Sequence, residues 1–307
     1  MLYVYAPDQG DLYASLLRAA LPEWSVAAWP APVDPAAVTH VAAWAPPPGF
    51  FAPFGQLRTV FNLGAGVDAL LTRDDLPASV DIVRLTDAGM AAQMTEYCLY
   101  GVLHWQREMD AYRRQQAEGV WLQRQTRLRA DVRVGILGLG ELGGRVARDL
   151  VGMGYRVGGW SRRRRELDGV VCRHGDDGLN ETLASSDVVF CVLPATAATR
   201  HLLDAARLAC LPEGAALINA GRGSLIDEAA LLARLDDGGL RFAMLDVFSE
   251  EPLPAGHPFW RHPRVIMTPH VAADTVAEEA VRQIAARLGG GDGGAAPAGR
   301  IDRQRGY

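Results

Sequence analysis

The sequence predicts an α/β protein with a doubly wound parallel sheet at its centre and a smaller α/β unit before it. Three observations carry this: a strand, a G-x-G-x-x-G and a helical run in direct succession at residues 132–151, strand-like apolar runs alternating with glycine turns and helical patterns on either side, and a length of 307 residues, enough for two cores. Hydrophobic content of 49% and charged content of 22% are those of a soluble globular chain. A net charge of −5 argues against nucleic acid or an anionic membrane as the main partner. No apolar run approaches the ~20 residues that span a bilayer, and the N-terminus lacks the basic and apolar regions of a signal peptide. The four cysteines, Cys98, Cys172, Cys191 and Cys210, form no C-x-x-C pair and read as buried, reduced thiols of a cytoplasmic protein with no metal framework.

The first third reads as a small α/β unit. Residues 1–6 are an apolar strand, 12–21 a helix, 26–29 and 38–44 two further strands. The last of these ends in Ala45-Pro46-Pro47-Pro48-Gly49, which three prolines make a rigid, extended loop. Residues 59–63 form a strand that runs straight into Gly64-Ala65-Gly66-Val67-Asp68. A glycine turn at the carboxyl end of a strand is where open α/β sheets bind ligands, but it is also an ordinary connection. Residues 82–85 are another strand, and a helical pattern from Ala91 to about Arg114 leads to the centre of the chain.

There Val132, Val134, Ile136 and Leu137 make the β-branched run of a strand buried on both faces. Gly138, Gly140 and Gly143, with Glu141 and Leu142 between them, precede a helix carrying Val146, Leu150 and Val151. The first glycine permits a tight turn, the second a close approach of backbone to pyrophosphate, and the third close packing of helix on strand. The helix N-terminus adds unpaired N–H groups for the phosphates. Residues 156–160 are the next strand, ending in Ser161-Arg162-Arg163-Arg164-Arg165. An NAD site places an acid about 20 residues beyond the motif; here that place falls on Trp160, and no acid follows it until Glu166. Arginines there suit a 2′-phosphate, because the guanidinium fork pairs with phosphate oxygens; a solvated turn is the plainer reading.

Residues 187–194 form a strand ending in Leu193-Pro194, followed by a polar turn to Thr199. Residues 215–219 form the next, followed by Ala220-Gly221-Arg222-Gly223, an arginine bracketed by glycines. A helix at 227–235 and a strand at 242–248, which carries Asp246, lead to Glu250, Glu251 and Pro252; residues 264–270 put His270 just past one more strand. A helix at 275–288 returns the chain to the first domain, so that domain is split between both chain ends. Residues 289–299, GGGDGGAAPAG, read as a flexible linker, and the last eight as a polar tail.

Arg222, Glu251 and His270 all fall at or just beyond strand carboxyl ends. Singly, each has a plain structural reading; together, beside a nucleotide site, they meet the needs of one reaction. Hydride transfer to a ketone builds negative charge on the carbonyl oxygen, which calls for a proton donor and electrostatic stabilisation. A histidine beside a carboxylate supplies the proton, and an arginine binds the substrate's carboxylate or carbonyl oxygen.

With these residues in place, the chain resembles the D-isomer-specific 2-hydroxyacid dehydrogenase family, in detail its glyoxylate/hydroxypyruvate reductase A branch. The matching stretches are NLGAGVD (62–68), GMAAQMTEY (89–97), VLHW (102–105), GLGELG (138–143), WSR (160–162), NAGRG (219–223), LDVFSEEPLP (245–254), HPRVIMTPHVAADT (262–275) and DRQRGY (302–307). The resemblance implies two Rossmann-like domains, a substrate domain of residues 1–98 and 272–307 and an NAD(P)-binding domain of residues 99–271. It implies catalytic Arg222, Glu251 and His270, a substrate-carboxylate loop of Ala65, Gly66 and Val67, and a nicotinamide contact at Asp246. Expected cofactor contacts are Gly138, Gly140, Glu141, Leu142, Gly143, Ser161, Arg162, Arg163, Leu193, Pro194, Thr199, Ala220, Gly221, Asp246 and His270. The implied activity is reduction of a small 2-keto acid, glyoxylate to glycolate or hydroxypyruvate to D-glycerate, with NADPH or alternatively NADH, by a homodimer joined through the nucleotide domain. Trp44, Phe50, Met90 and Met94 are expected to line a cleft for a small substrate. The Gly/Ala-rich stretch 289–299 departs from the helical, charged sequence that the family leads one to expect. Two other readings stand beside this one: a dehydrogenase for another 2-hydroxy acid, such as phosphoglycerate or D-lactate, and a non-catalytic nucleotide-sensing corepressor on the same fold.

Overall fold

The structure, a computed structural model, describes residues 1–289 and 299–303. The chain forms two compact units, Met1–Met90 with the described part of Asp274–Tyr307, and Ala91–Ala273. In the first unit five strands, β1 (Leu2–Tyr5), β2 (Val26–Ala28), β3 (His40–Ala43), β4 (Thr59–Asn62) and β5 (Asp81–Arg84), make a parallel sheet in the order β2-β1-β3-β4-β5. They are short and buried, as parallel strands covered on both faces must be. Helix α1 (Gly10–Ala20) buries Tyr13, Ala14 and Leu17, and the single turn α2 (Asp68–Leu71) follows β4. Tyr3, Tyr5, Phe50, Phe51 and Phe54 interlock as an aromatic cluster beneath the proline loop. Arg73 pins that loop: its guanidinium donates to Pro46 O and Pro47 O, each at 2.7 Å, pairs with Asp75 and lies over Phe51.

The second unit opens with helices α3 (Met90–Gln106) and α4 (Met109–Glu118). Its seven strands are β6 (Arg133–Leu137), β7 (Arg156–Trp160), β8 (Val170–Arg173), β9 (Val188–Cys191), β10 (Ala215–Asn219), β11 (Leu240–Leu245) and β12 (Val265–Met267). Helices α5 (Glu141–Gly152), α6 (Gly175–Ala184), α7 (Ala205–Ala209) and α8 (Glu228–Asp236) connect them. All neighbours are parallel, in the order β12-β11-β10-β9-β6-β7-β8. The order reverses between β6 and β9, and at such a switch point the carboxyl ends of the two strands leave a crevice for ligand. One face of the sheet packs Val134, Ile136, Phe190 and Ile218 against α3 and α5; the other packs Leu137, Val189 and Leu217 against α6, α7 and α8. The chain then re-enters the first unit as α9 (Ala277–Gly289), where Gln283 exchanges hydrogen bonds with the backbone of Thr86.

The long helix expected from Ala91 to Arg114 is two helices. Glu108 stands between them with φ 54°, in the left-handed region, and its carboxylate is held by Arg124 and Arg127. Helix α3 packs Met94, Cys98, Val102 and Trp105 into the second unit, so the division between the compact units falls at its start. Strand β8 and helix α6 were not legible as separate elements in the polar 162–186 stretch. Of the cysteines, Cys98 and Cys191 are buried, and burial pushes both thiols up, Cys191 to about 12; Cys172 and Cys210 are only half-buried. The linker reading for 289–299 and the tail motif DRQRGY lie largely outside the described residues. No helix among the described residues is long and apolar enough to cross a membrane.

Candidate active site

At the end of β6 the chain turns at Gly138 with φ 111°, where a side chain would be strained. Gly140 caps α5 without a side-chain bond to the helix N–H groups, and a Cβ there would meet open space. A Cβ on Gly143, in contrast, would overlap Gly138 O, so helix and strand meet at glycine contact distance. Helix α5 buries Val146, Ala147 and Leu150, and burying a Val or Leu side chain is worth roughly 1.5–3 kcal/mol, which holds its N-terminus at the rim. These features fit a dinucleotide: an open backbone at the second glycine, with a helix N-terminus behind it. Glu141 and Leu142 form the first turn of that helix. Ser161, Arg162 and Arg163 follow β7, the two arginines exposed, and Ser161 Oγ donates to Arg163 O at 2.7 Å to close the turn. Leu193 and Pro194 follow β9; Thr199 donates to Pro194 O and accepts from Thr196 N, so its hydroxyl shapes the turn.

Past β10, Asn219 is fully buried; its side chain donates to Arg222 O and accepts from Gly221 N. That bracket folds Ala220–Gly223 and presents Arg222, whose Nη1 donates to Gly221 O at 2.7 Å. Both glycines are required: a Cβ on Gly221 would lie 2.7 Å from Leu193 O, and one on Gly223 would overlap the backbone of Phe248. Asn219 was not among the expected site residues, although a turn-forming Asn ahead of a glycine is a readable signal.

Glu251 follows β11 and His270 follows β12, so Arg222, Glu251 and His270 stand on one rim, behind three adjacent strands. Glu251 Oε1 accepts from Phe248 N at 2.8 Å, which leaves Oε2 2.8 Å from His270 Nδ1. A carboxylate only accepts, so His270 Nδ1 carries the proton in this bond and Nε2 is left for other chemistry. The side chains are 42% (His270) and 34% (Glu251) exposed, open to a ligand. His270 has φ 56°, a left-handed conformation that costs a non-glycine residue on the order of 1–3 kcal/mol. Its N–H donates to Asp246 O at 2.8 Å. Asp246 is 1% exposed, and its carboxylate accepts from Thr268 Oγ1, Val271 N and Ala272 N.

In the first unit, Asn62 Nδ2 donates to Gly64 O and Gly66 O, bending the chain after β4 into a compact loop that carries Ala65, Gly66 and Val67. Trp44, nearly half exposed, lies against Gly64, where a Cβ would overlap its ring. Of the other bulky residues expected to line a cleft, Phe50 is half-buried in the aromatic cluster, Met90 is buried, and Met94 belongs to the core of the second unit.

Residues 99–272 match the model of the D-isomer specific 2-hydroxyacid dehydrogenase NAD binding domain. The glyoxylate/hydroxypyruvate reductase A of Salmonella paratyphi B is 40% identical to this chain over 300 residues, 96% of each protein. A D-isomer specific 2-hydroxyacid dehydrogenase from Xanthobacter autotrophicus Py2, solved in complex with NADPH and MES, superposes with a TM-score of 0.95 at 43% identity over 100% of this chain and 99% of its own. An NADPH-dependent glyoxylate/hydroxypyruvate reductase from Sinorhizobium meliloti, solved with NADP and sulfate, gives 0.91 at 33% identity, again over 100% and 99%.

Proposed function

The chain belongs to the D-isomer specific 2-hydroxyacid dehydrogenase family, and from that premise we propose that it reduces glyoxylate and hydroxypyruvate with NADPH. The observation that carries the reading is the 2.8 Å bond between His270 Nδ1 and Glu251 Oε2 on the rim that also bears Arg222. Glu251 orients the imidazole; His270 delivers a proton from Nε2 to the keto oxygen; Arg222 pairs with the carboxylate or carbonyl oxygen and stabilises the charge that develops there. The loop at Ala65, Gly66 and Val67 offers backbone N–H groups to a substrate carboxylate.

The dinucleotide, when bound, supplies the hydride that the keto carbon takes. Gly138, Gly140, Glu141, Leu142 and Gly143 would hold its pyrophosphate, with Leu193, Pro194, Thr199, Ala220, Gly221 and Asp246 on the neighbouring rim. Ser161, Arg162 and Arg163 would hold a 2′-phosphate. Exposed guanidinium–phosphate bonds of this kind give a roughly ten- to hundredfold preference for NADPH after solvent screening. Of the basic residues near the 64–68 turn, Arg73 is spent on Asp75 and the proline loop and Arg58 precedes β4 at the opposite end, while Arg84 ends β5 beside Asn62, at the turn's own end, so the choice between a plain and a phosphorylated 2-keto acid falls to the substrate panel. The protein works as a homodimer in the cytoplasm. Val120, Trp121, Leu122 and Leu128 support the dimer: all are apolar and exposed on the stretch after α4, and exposed apolar surface is what an interface covers.

A panel of 2-keto acids, including glyoxylate, hydroxypyruvate, phosphohydroxypyruvate and pyruvate, assayed with each reduced cofactor, tests the reading. Turnover of hydroxypyruvate and glyoxylate with NADPH is expected. No turnover of any member would leave the nucleotide-sensing alternative.

A further inference from the structure

We propose that Tyr97 and Thr268 are positioning residues: acting through the Asp246 carboxylate, they hold the turn that carries His270 and so set where its imidazole stands. This deepens, and rests on, the reading of His270 as proton donor. Three successive N–H groups close on Asp246: His270 N to its carbonyl oxygen, Val271 N to Oδ1 and Ala272 N to Oδ2, at 2.8, 2.8 and 2.9 Å. A turn of consecutive N–H groups around a left-handed residue is an anion-binding nest, and here the anion is a buried side chain of the same chain. The left-handed backbone of His270 is therefore wrapped around Asp246.

The carboxylate is anchored in turn from the other side. Thr268 Oγ1 lies 2.6 Å from Asp246 Oδ1 and 2.7 Å from the Tyr97 hydroxyl. A carboxylate cannot donate, so the single hydroxyl proton of Thr268 goes to Asp246, and Tyr97 must donate to Thr268. The direction of the relay is thus Tyr97 to Thr268 to Asp246. Burial raises the Tyr97 hydroxyl's pKa, which keeps it a donor. Tyr97 sits on α3, whose Met94, Cys98 and Val102 are buried in the core, so the relay ties the His270 turn to a rigid helix. Neither hydroxyl need touch substrate; each acts through Asp246.

The test uses Thr268→Val, which removes the hydroxyl at nearly constant volume, Thr268→Ser, which restores it, and Tyr97→Phe. Misplacing a catalytic group by about 1 Å costs up to ~100-fold, so Thr268→Val is expected to lower kcat by ~10–100-fold and Tyr97→Phe by roughly 3–10-fold. KM for the keto acid should stay within about twofold of wild type, and NADPH affinity, titrated by fluorescence without keto acid, should fall much less than kcat, since only the Asp246 end of the dinucleotide site is touched. Thr268→Ser should recover most of the lost kcat. Independently of turnover, amide exchange at residues 270–272 should quicken at least ~10-fold in Thr268→Val. Unchanged exchange and unchanged kcat in a folded Thr268→Val protein would overturn the proposal, as would a parallel loss of kcat, NADPH affinity and thermal stability that serine does not rescue. If exchange quickens while His270→Asn turns over like wild type, the proton-donor reading falls and the hold on the turn stands.

Discussion

At the residue scale the proposed proton transfer turns on a single hydrogen bond between side chains that are both partly open to solvent. Glu251 is itself pinned by Phe248 N, so its second oxygen has one place to be, and His270 meets it at 2.8 Å. Replacing His270 with Asn should lower the rate of keto-acid reduction by ~10²–10⁴, the range for loss of a general acid, with NADPH binding retained. Glu251→Gln keeps an acceptor for Nδ1–H but removes the charge that stabilises an imidazolium, so a smaller loss in kcat is expected, again with nucleotide binding intact. Steady-state rates on hydroxypyruvate, set beside fluorescence titration of NADPH, check both; a His270→Asn enzyme of near-normal rate would remove histidine from the mechanism.

At the element scale, glycine decides where helix α5 can sit. Because a Cβ on Gly143 would overlap the carbonyl of Gly138, Gly143→Ala must push the helix off β6. Overpacking of this kind costs about 1–3 kcal/mol, and each kcal/mol lowers Tm by about 2–4 °C in a unit of this size. A melt should therefore shift down by several degrees, and NADPH affinity should fall because the helix N-terminus moves; unchanged affinity would detach α5 from the phosphates. Strand β3 gives a pH-dependent counterpart. Burial, then the nearby N-terminal ammonium and Arg58, lower His40 from 6.5 to about 4, while Trp24 and Phe61 flank its ring and Thr39 Oγ1 lies 2.9 Å from Nδ1. The folded state then binds fewer protons than the unfolded chain between those values. Stability from this group is complete above about pH 6.5 and is lost as pH falls towards about 4. Denaturant midpoints measured across that window should drop with acid in wild type and drop less steeply in His40→Gln.

At the scale of the whole molecule, the exposed stretch after α4 is the feature least suited to a lone chain. Trp121 is fully exposed, Val120 and Leu122 flank it in sequence and Leu128 follows, and among the described residues no element covers them. Trp121→Ala combined with Leu122→Ser is expected to weaken the proposed dimer, converting a concentration-dependent dimer to monomer in light scattering after gel filtration. Since these residues are surface-exposed, the melting of the isolated chain should barely change. A double variant that stays dimeric would move the interface elsewhere.

What the sequence determined by itself was what short-range chemistry can write. Val132 to Gly143 specify strand, turn and helix within one stretch, because the need for glycine at 138 and 143 is local steric exclusion. The alternation of strands and helices specified a parallel sheet, and the rim positions of Arg222, Glu251 and His270 followed from counting residues past strand ends. The break at Glu108 was not legible, because its left-handed backbone is supported by arginines at 124 and 127 that come later in the chain. Nor could the sequence tell Met94, which fills the core of the second unit, from Trp44, which is nearly half exposed, since both are bulky and apolar. The tie from Tyr97 to Asp246 through Thr268 spans 171 residues at its first step, and no local pattern encodes such a bond. Hydrogen bonds between distant residues exist only once packing has brought α3 and the end of β12 together, and that is what tertiary structure alone decided.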